Sequence, residues 1–255
     1  MTELSAPAGP VEPTIFGSTP QRAPAARLGV AVVHDLVNAI VTGEVPPGQS
    51  LPPEGVLAQH FGVSRTVIRE SVKRVEEKGL VTIAQGRGTE VLPPDSWNLL
   101  DTVVLSALVE NDDTVGVLDE LAVVRGALEG SMAAAAAAEH TDDELATLRQ
   151  RLEHMDETKN GLGFDQADVD FHLTVMAMSK NLLAQNITKI LYTRARESVR
   201  FVGATSDDAI QLTLDEHARV LRAIERRDVV DAENAMREHI SVAWKRRRLP
   251  THRKG

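Results

Sequence analysis

The 255-residue chain contains no cysteine. Disulfides and thiolate metal sites are excluded, and the composition suits a reducing compartment such as the cytoplasm. Aromatic residues amount to only 3%; alanine and leucine dominate the apolar complement, which favours helix. No apolar run approaches the length of a membrane span, and the first residues lack the charged-then-apolar order of a secretion signal, so no membrane is expected. After Asp101 no segment alternates as a strand would. What is present is a 42% hydrophobic content, enough for sizeable cores in a chain whose length suggests two domains.

The net charge of −9 is unevenly spread. Residues 1–21 carry no Lys or Arg against 2 acids, and residues 22–90 carry 8 Lys/Arg against 7 Asp/Glu. Residues 91–244 carry 14 against 28, and residues 245–255 carry 6 against none. The break falls at a predicted domain boundary. The acidic second part is unsuited to nucleic acid. The near-neutral first part suggests a few placed contacts rather than a broad basic stripe.

The stretch 51–91 organises the rest. Val56, Leu57 and Phe61 fall on one face of a short helix that Gly62 ends. Ser64 is placed to cap a second helix over residues 65–78, whose buried stripe is Ile68, Val72 and Val75. Gly79 stands where a helix end calls for a left-handed residue. Residues 81–83 and 89–91 read as two strands joined by a turn containing Gly86 and Arg87. Helix, turn, helix and hairpin outline a winged helix-turn-helix. Arg65 and Arg69 lie four apart and share a face, which Lys73 continues. Ser64 and Thr66 add hydroxyls at the helix N-terminus. That end of a recognition helix enters the major groove, where arginine reads guanine and hydroxyls hold phosphate.

Before this stretch, residues 1–24 are rich in Pro, Ala, Gly, Ser and Thr and are expected to be disordered. A helix over 25–42 carries Leu28, Val32, Leu36 and Ile40 at four-residue steps, which makes 25–91 the DNA-binding domain. Residues 92–101 read as a linker, with the Trp97 indole on the domain seam. Residues 102–244 read as an all-α bundle, followed by a basic tail over 245–255. Its helices are expected near 102–110, 114–139, 165–178, 181–201, 211–226 and 228–245. One more helix opens on the capping box of Thr141 and Glu144. Leu118, Leu121, Val124 and Leu128 should face inward on the long helix. His34, His60, His140, His154 and His252 are expected in solvated positions. The fold class is thus mainly α, a winged helix-turn-helix followed by a helical bundle.

Four polar residues of the bundle occupy apolar positions. Asp168 and His172, four apart, point the same way. His217 lies in the stripe Leu214, Leu221, Ile224, and His239 in the stripe Ala232, Met236, Ala243. Each histidine alone reads more readily as a satisfied core residue than as a ligand. Together the four offer a carboxylate and three imidazoles on three helices, a set suited to Zn²⁺, with Ni²⁺, Mn²⁺ or Fe²⁺ also compatible. Arg125 shares the inward stripe of the long helix and needs an anion. Glu129, one turn on, or a carboxylate ligand would each serve. Arg194, Arg196 and Arg200 supply further cations.

Several of these motifs carry a family resemblance. Leu51-Pro52-x-Glu54, residues 62–66, Arg69-Glu70, Gly79-Leu80-Val81 and Gly86-x-Gly88-Thr89-x-Val91 resemble the GntR family of bacterial transcriptional regulators. In that family an arginine often follows the glutamate, where this chain has Gly55. Val124-Arg125-x-x-Leu128-Glu129, Asp168-x-x-Phe171-His172, His217 and His239 resemble the FCD ligand domain of the FadR subfamily. Residues 97–101 are similar to members responding to sugar acids such as galactonate. The resemblance implies a homodimeric repressor on a palindromic operator. It also implies a metal held by Asp168, His172, His217 and His239, and a small carboxylate effector, a sugar acid or other hydroxy acid, contacted by Arg125 and Asn181. Two rival functions are a metal-dependent enzyme, for which no activated nucleophile is visible, and a repressor for which metal itself is the signal.

Overall fold

The computed structural model describes residues 24–84, 86, 88–112, 116–161, 163–197 and 206–247. Ten α-helices and one two-stranded sheet lie among these residues. In the head, α1 (Pro24–Val41), α2 (Glu54–Phe61) and α3 (Arg65–Glu77) precede the antiparallel strands β1 (Val81–Ala84) and β2 (Gly88–Val91). The pairing runs from Val81 opposite Val91 to Ala84 opposite Gly88. Val33, Val37, Ile68, Val75, Leu80 and Val91 are among the buried residues of this core. Leu28 and Val56 are not buried, at 49% and 55% exposure. Leu28 lies near the start of α1 and Val56 near the start of α2, where the expected stripe outruns the surface available to cover it. The chain before α2 also joins the wing: Leu51 donates to Thr89 O and Val91 donates to Gln49 O, both at 2.8 Å.

The stretch read as a linker is packed on the head rather than loose. The backbone N–H of Leu92 donates to Leu80 O at 2.8 Å, and that of Asn98 to Lys78 O at 2.9 Å. The Trp97 indole N–H donates to Leu92 O at 3.0 Å, and its ring packs against the head core. Gly79 makes the close approach possible. It has φ +77°, and a Cβ there would lie 2.3 Å from Ser96 O. Gly79→Ala is therefore expected to cost about 2 kcal/mol or more, from the left-handed backbone plus displacement of the linker. A fall in the urea midpoint checks this.

The second part contains α4 (Thr102–Glu110), α5 (Gly116–Glu139), α6 (Asp142–Thr158), α7 (Phe164–Met178), α8 (Leu182–Glu197), α9 (Asp207–Glu225) and α10 (Val229–Arg247). Helix α4 serves two cores. Val104 and Ala107 complete the head, while Leu105 and Val109 pack with Leu118, Leu121, Leu191 and Trp244. Asp101 caps α4 by accepting from Val103 and Val104 N–H, and its other oxygen takes Lys78 Nζ at 2.6 Å. The end of the recognition helix is thereby tied to the start of the bundle.

Helix α5 is the axis of the bundle. Gly130 lets α10 lie close along it, since a Cβ there would meet Glu233 O at 3.0 Å. By length and composition α5 is apolar enough to cross a membrane, which corrects the expectation that no such run exists. In this fold it is a core helix with Leu118, Met132, Ala133 and Ala136 buried. Val124, expected inward, is 45% exposed, because Arg125 takes the buried register beside it. The capping box of α6 forms in both directions, Glu144 N–H to Thr141 Oγ1 at 3.2 Å and Thr141 N–H to Glu144 Oε2 at 2.8 Å. His140 is buried, with Nδ1 3.0 Å from Ala136 O, because the α5 C-terminus is covered. Arg227 donates to Ala138 O and His140 O there. His34, His60 and His154 are exposed, and His252 lies outside the described residues.

Candidate functional site

The recognition helix starts as its sequence dictates. Ser64 Oγ accepts the Val67 N–H at 3.3 Å, and Arg65, Thr66, Arg69 and Lys73 are all exposed. Arg69 is held by Glu54 of α2 through two bonds, Nε to Oε1 at 3.1 Å and Nη2 to Oε2 at 3.0 Å. Lys73 pairs with Glu70 at 3.0 Å. These pairs lie in solvent, so they hold their cations weakly. At Gly55 a Cβ would stand 3.1 Å from the Arg65 guanidinium, which lies over that glycine. Gly86 is exposed in the wing turn with φ +80°. Arg87 lies outside the described residues.

In the bundle, α7 supplies Asp168 and His172, α9 supplies His217 and α10 supplies His239, and all four are buried. One donor atom from each lies within 4.8 Å of every other. The outer nitrogens fix the tautomers. His172 Nδ1 faces Glu129 Oε2 at 2.6 Å, His217 Nδ1 faces Thr213 O at 2.7 Å, and His239 Nδ1 faces Glu216 Oε2 at 2.9 Å. All three partners only accept, so each Nδ1 carries the proton and each Nε2 presents a lone pair. Those lone pairs converge: His172 Nε2 is 3.3 Å from His217 Nε2 and 3.2 Å from His239 Nε2. Asp168 Oδ1 is buried without a hydrogen bond, 3.5 Å from His217 Nε2. Four electron-pair donors aimed at one point repel one another, and a cation relieves the repulsion. The donor set fits a divalent metal ion, with Glu129, Thr213 and Glu216 as the outer partners that orient its ligands.

Burial pushes the pKa of His217 well below 6.5 and that of His239 below it, the first helped by the neighbouring imidazole of His239. Both are therefore neutral ligands at pH 7. Burial alone would raise Asp168, but the Arg247 charge is the largest of the effects that oppose it, and the carboxyl is held below the carboxylate range. Burial likewise opposes ionisation of Glu129 and is overcome by Arg125 and His172, leaving it at about 2.

Arg125 is buried beside the cluster. Its Nε donates to Glu129 Oε1 at 2.9 Å, and its guanidinium carbon sits 4.3 Å over the ring of Tyr192, the chain's one tyrosine. Glu129 thus joins Arg125 to His172. Tyr192 OH reaches Asp168 Oδ2 at 3.3 Å. A cavity of about 30 Å³ opens here, lined among others by Arg125, Asp168, His172, Tyr192, His239 and Arg247. Asn181, read as a pocket residue, is placed elsewhere: it is exposed, and its Oδ1 accepts the Ala184 N–H at the start of α8. Arg194 donates to Ser106 and Arg196 to Tyr192 OH, while Arg200 lies outside the described residues. Sequence reasoning missed Thr213, Glu216, Tyr192 and Arg247. Thr213, four before His217, and Arg247, four beyond Ala243 on the His239 stripe, had a signal in their spacing; Glu216 acts from α9 on His239 of α10, and Tyr192 reaches the site from α8.

A winged helix-turn-helix joined through a shared helix to an all-α domain with a buried Asp/His cluster is the architecture of a DNA-binding transcription regulator. Comparison with known proteins agrees. Residues 28–91 match the model of bacterial regulatory proteins, gntR family, and residues 120–242 match the FCD domain. The galactonate operon transcriptional repressor of Escherichia coli K12 is 30% identical over 84% of this chain and 94% of its own length. The Uxu operon transcriptional regulator of the same organism is 30% identical over 82% and 81%. The solved structure of Lar from Listeria monocytogenes shares the fold at TM-score 0.51 and 18% identity, covering 86% of this chain and 97% of that one. The chain belongs to the GntR family, with an FCD domain as its second part. It is a transcription regulator that binds operator DNA, not an enzyme.

Proposed function

We propose that the protein is a cytoplasmic homodimeric repressor of a palindromic operator, controlled by a small carboxylate bound at a metal in the helical domain. A sugar acid or other hydroxy acid is the favoured class, supported by the similarity to the galactonate operon repressor. The observation that carries the metal is the convergence of three Nε2 lone pairs and the unbonded Asp168 Oδ1. Zinc is the favoured ion, and nickel, manganese and iron suit the same ligands. When bound, a divalent ion supplies a positive, Lewis-acidic point for an anionic oxygen.

The protein's own groups do the rest. Glu129 and Glu216 hold His172 and His239 in the ligating tautomer. Arg125 offers a buried fork for the effector carboxylate, exchanging part of its bond to Glu129. Movement of α5 passes to α4, which packs in the head core, and the Lys78–Asp101 pair fixes α4 to the recognition helix. The effector shifts DNA affinity only to the extent that it binds one arrangement better, about 1.4 kcal/mol for each tenfold.

One observation favours a second reading, in which metal alone is the signal. Arg125 already has an internal anion in Glu129, and a cavity of about 30 Å³ holds little more than a water. A thermal-shift screen of the metal-loaded protein against carboxylates, paired with operator release in fluorescence anisotropy, separates the two. The expected result is stabilisation and release by a hydroxy acid. Arg125→Ala should keep the metal by elemental analysis and lose the carboxylate response. Release by metal alone, with no carboxylate effect, supports the metal sensor instead.

A further inference from the structure

If the effector is a carboxylate bound beside the metal, as proposed, the charges of the pocket set how much negative charge it carries. Helix α10 ends in consecutive arginines that part company. Arg246 meets Glu216 fork to fork, Nη1 to Oε1 at 2.6 Å and Nη2 to Oε2 at 2.7 Å. Arg247, about 100° further round the helix, turns inward. It is 8% exposed, its Nη1 is 3.6 Å from Asp168 Oδ2, and it lines the same cavity as Arg125 and His172. By sequence it belonged to a basic tail. It also lies beyond residue 242, where the match to the FCD domain ends.

The charges around the cluster decide what such an arginine does. Glu129 is balanced by Arg125, Glu216 by Arg246, and Asp168 by Arg247. An imidazole that offers its Nε2 lone pair to a metal carries no charge. Arg196, which donates to Tyr192 OH and to Asp165 O, is offset by the Asp165 charge. Among the described residues the cluster is therefore near neutral without a metal, and a divalent ion leaves about two positive charges buried. A structural metal site would be better served by an uncharged residue at 247. A ligand-binding site is better served by an arginine, because an anion between it and the ion turns repulsion into two attractions. A monocarboxylate cancels one charge. A dicarboxylate cancels both and offers one carboxylate to each buried guanidinium.

We propose that Arg247 is a second anion anchor of the effector pocket, and that the effector is a hydroxy dicarboxylate rather than a monocarboxylate. Two pairs of probes differ only in the second carboxylate: lactate with malate, and galactonate with galactarate. Binding to the metal-loaded full chain is measured by calorimetry, with metal content by elemental analysis. In at least one pair the diacid should bind about tenfold or more tightly than its partner. Arg247→Gln should remove that preference while monoacid affinity stays within about threefold and metal content is unchanged. Arg247→Lys should restore part of the preference, as a point charge without the fork. Equal affinities within both pairs, or equal losses for mono- and diacid in Arg247→Gln, overturn the role of Arg247 while carboxylate sensing stands. No binding of any probe to the loaded wild-type chain overturns both.

Discussion

Removing metal with a chelator is expected to lower the melting temperature by roughly 10 °C, and restoring a divalent ion to recover it. The size follows from linkage. A ligand present at about a thousand times its Kd and bound only by the folded state contributes about 4 kcal/mol. The effect is concentrated in this site because the metal-free cluster is itself unfavourable: three protonated Nδ1 atoms face acceptors, so three lone pairs face one another. His172→Ala with His217→Ala should abolish both metal retention and the chelator effect while operator binding persists. If the double variant retains one metal per chain, the four-ligand assignment is wrong. The pH dependence has a fixed sign. Burial holds His217 and His239 below their ordinary 6.5, so the unfolded chain takes up protons first. The metal-free protein has their full contribution above pH 6.5 and loses it as the pH falls through the lowered values. Glu129 and Glu216, both at about 2 against an ordinary 4.5, add a further loss between pH 4.5 and 2. Urea midpoints across pH, with and without metal, check both windows.

Substituting Arg65 and Arg69 together by alanine is expected to reduce operator affinity by about 10-fold to several hundred-fold, with folding and metal content unchanged. A base-contacting arginine contributes roughly 1–3 kcal/mol, and a phosphate contact contributes mainly to the salt slope. Both side chains are exposed at the N-terminal half of α3, and that helix is fixed by Ile68, Val72 and Val75 underneath. The Glu54–Arg69 pair has to open or reorient for Arg69 to reach DNA, and being exposed it opposes this weakly. Anisotropy titrations with operator at several salt concentrations separate the two kinds of contact. Unchanged affinity and slope in a folded double variant would remove these residues from the interface.

Much of this was written locally in the chain. Helix periods, the Ser64 cap, the Thr141–Glu144 box and the turn glycines act over four residues or fewer, so the order of elements was legible. Asp168 and His172 were legible as a pair for the same reason, being one turn apart. His217 and His239 stood out because each interrupts an apolar stripe. Where local patterns misled, a neighbouring element was responsible. Val124 is exposed because Arg125 takes the inward register, His140 is buried because Arg227 closes the end of α5, and Asn181 is spent capping α8.

The sequence by itself determined the class of protein, the recognition helix and the four candidate ligands, because each rests on spacing within a single helix or on a motif read in order. Only the tertiary structure decided which ring atoms of His172 and His239 point inward, since that depends on acceptors from other helices: Glu129 of α5 for His172 and Glu216 of α9 for His239. It also decided that Arg125 is neutralised by Glu129 and that Arg247 is part of the pocket rather than a tail. A charged side chain's role is set by the charges that burial forces to share its low-dielectric surroundings. Those neighbours come from segments up to 122 residues apart in the chain, from Arg125 to Arg247, where no local pattern can record them.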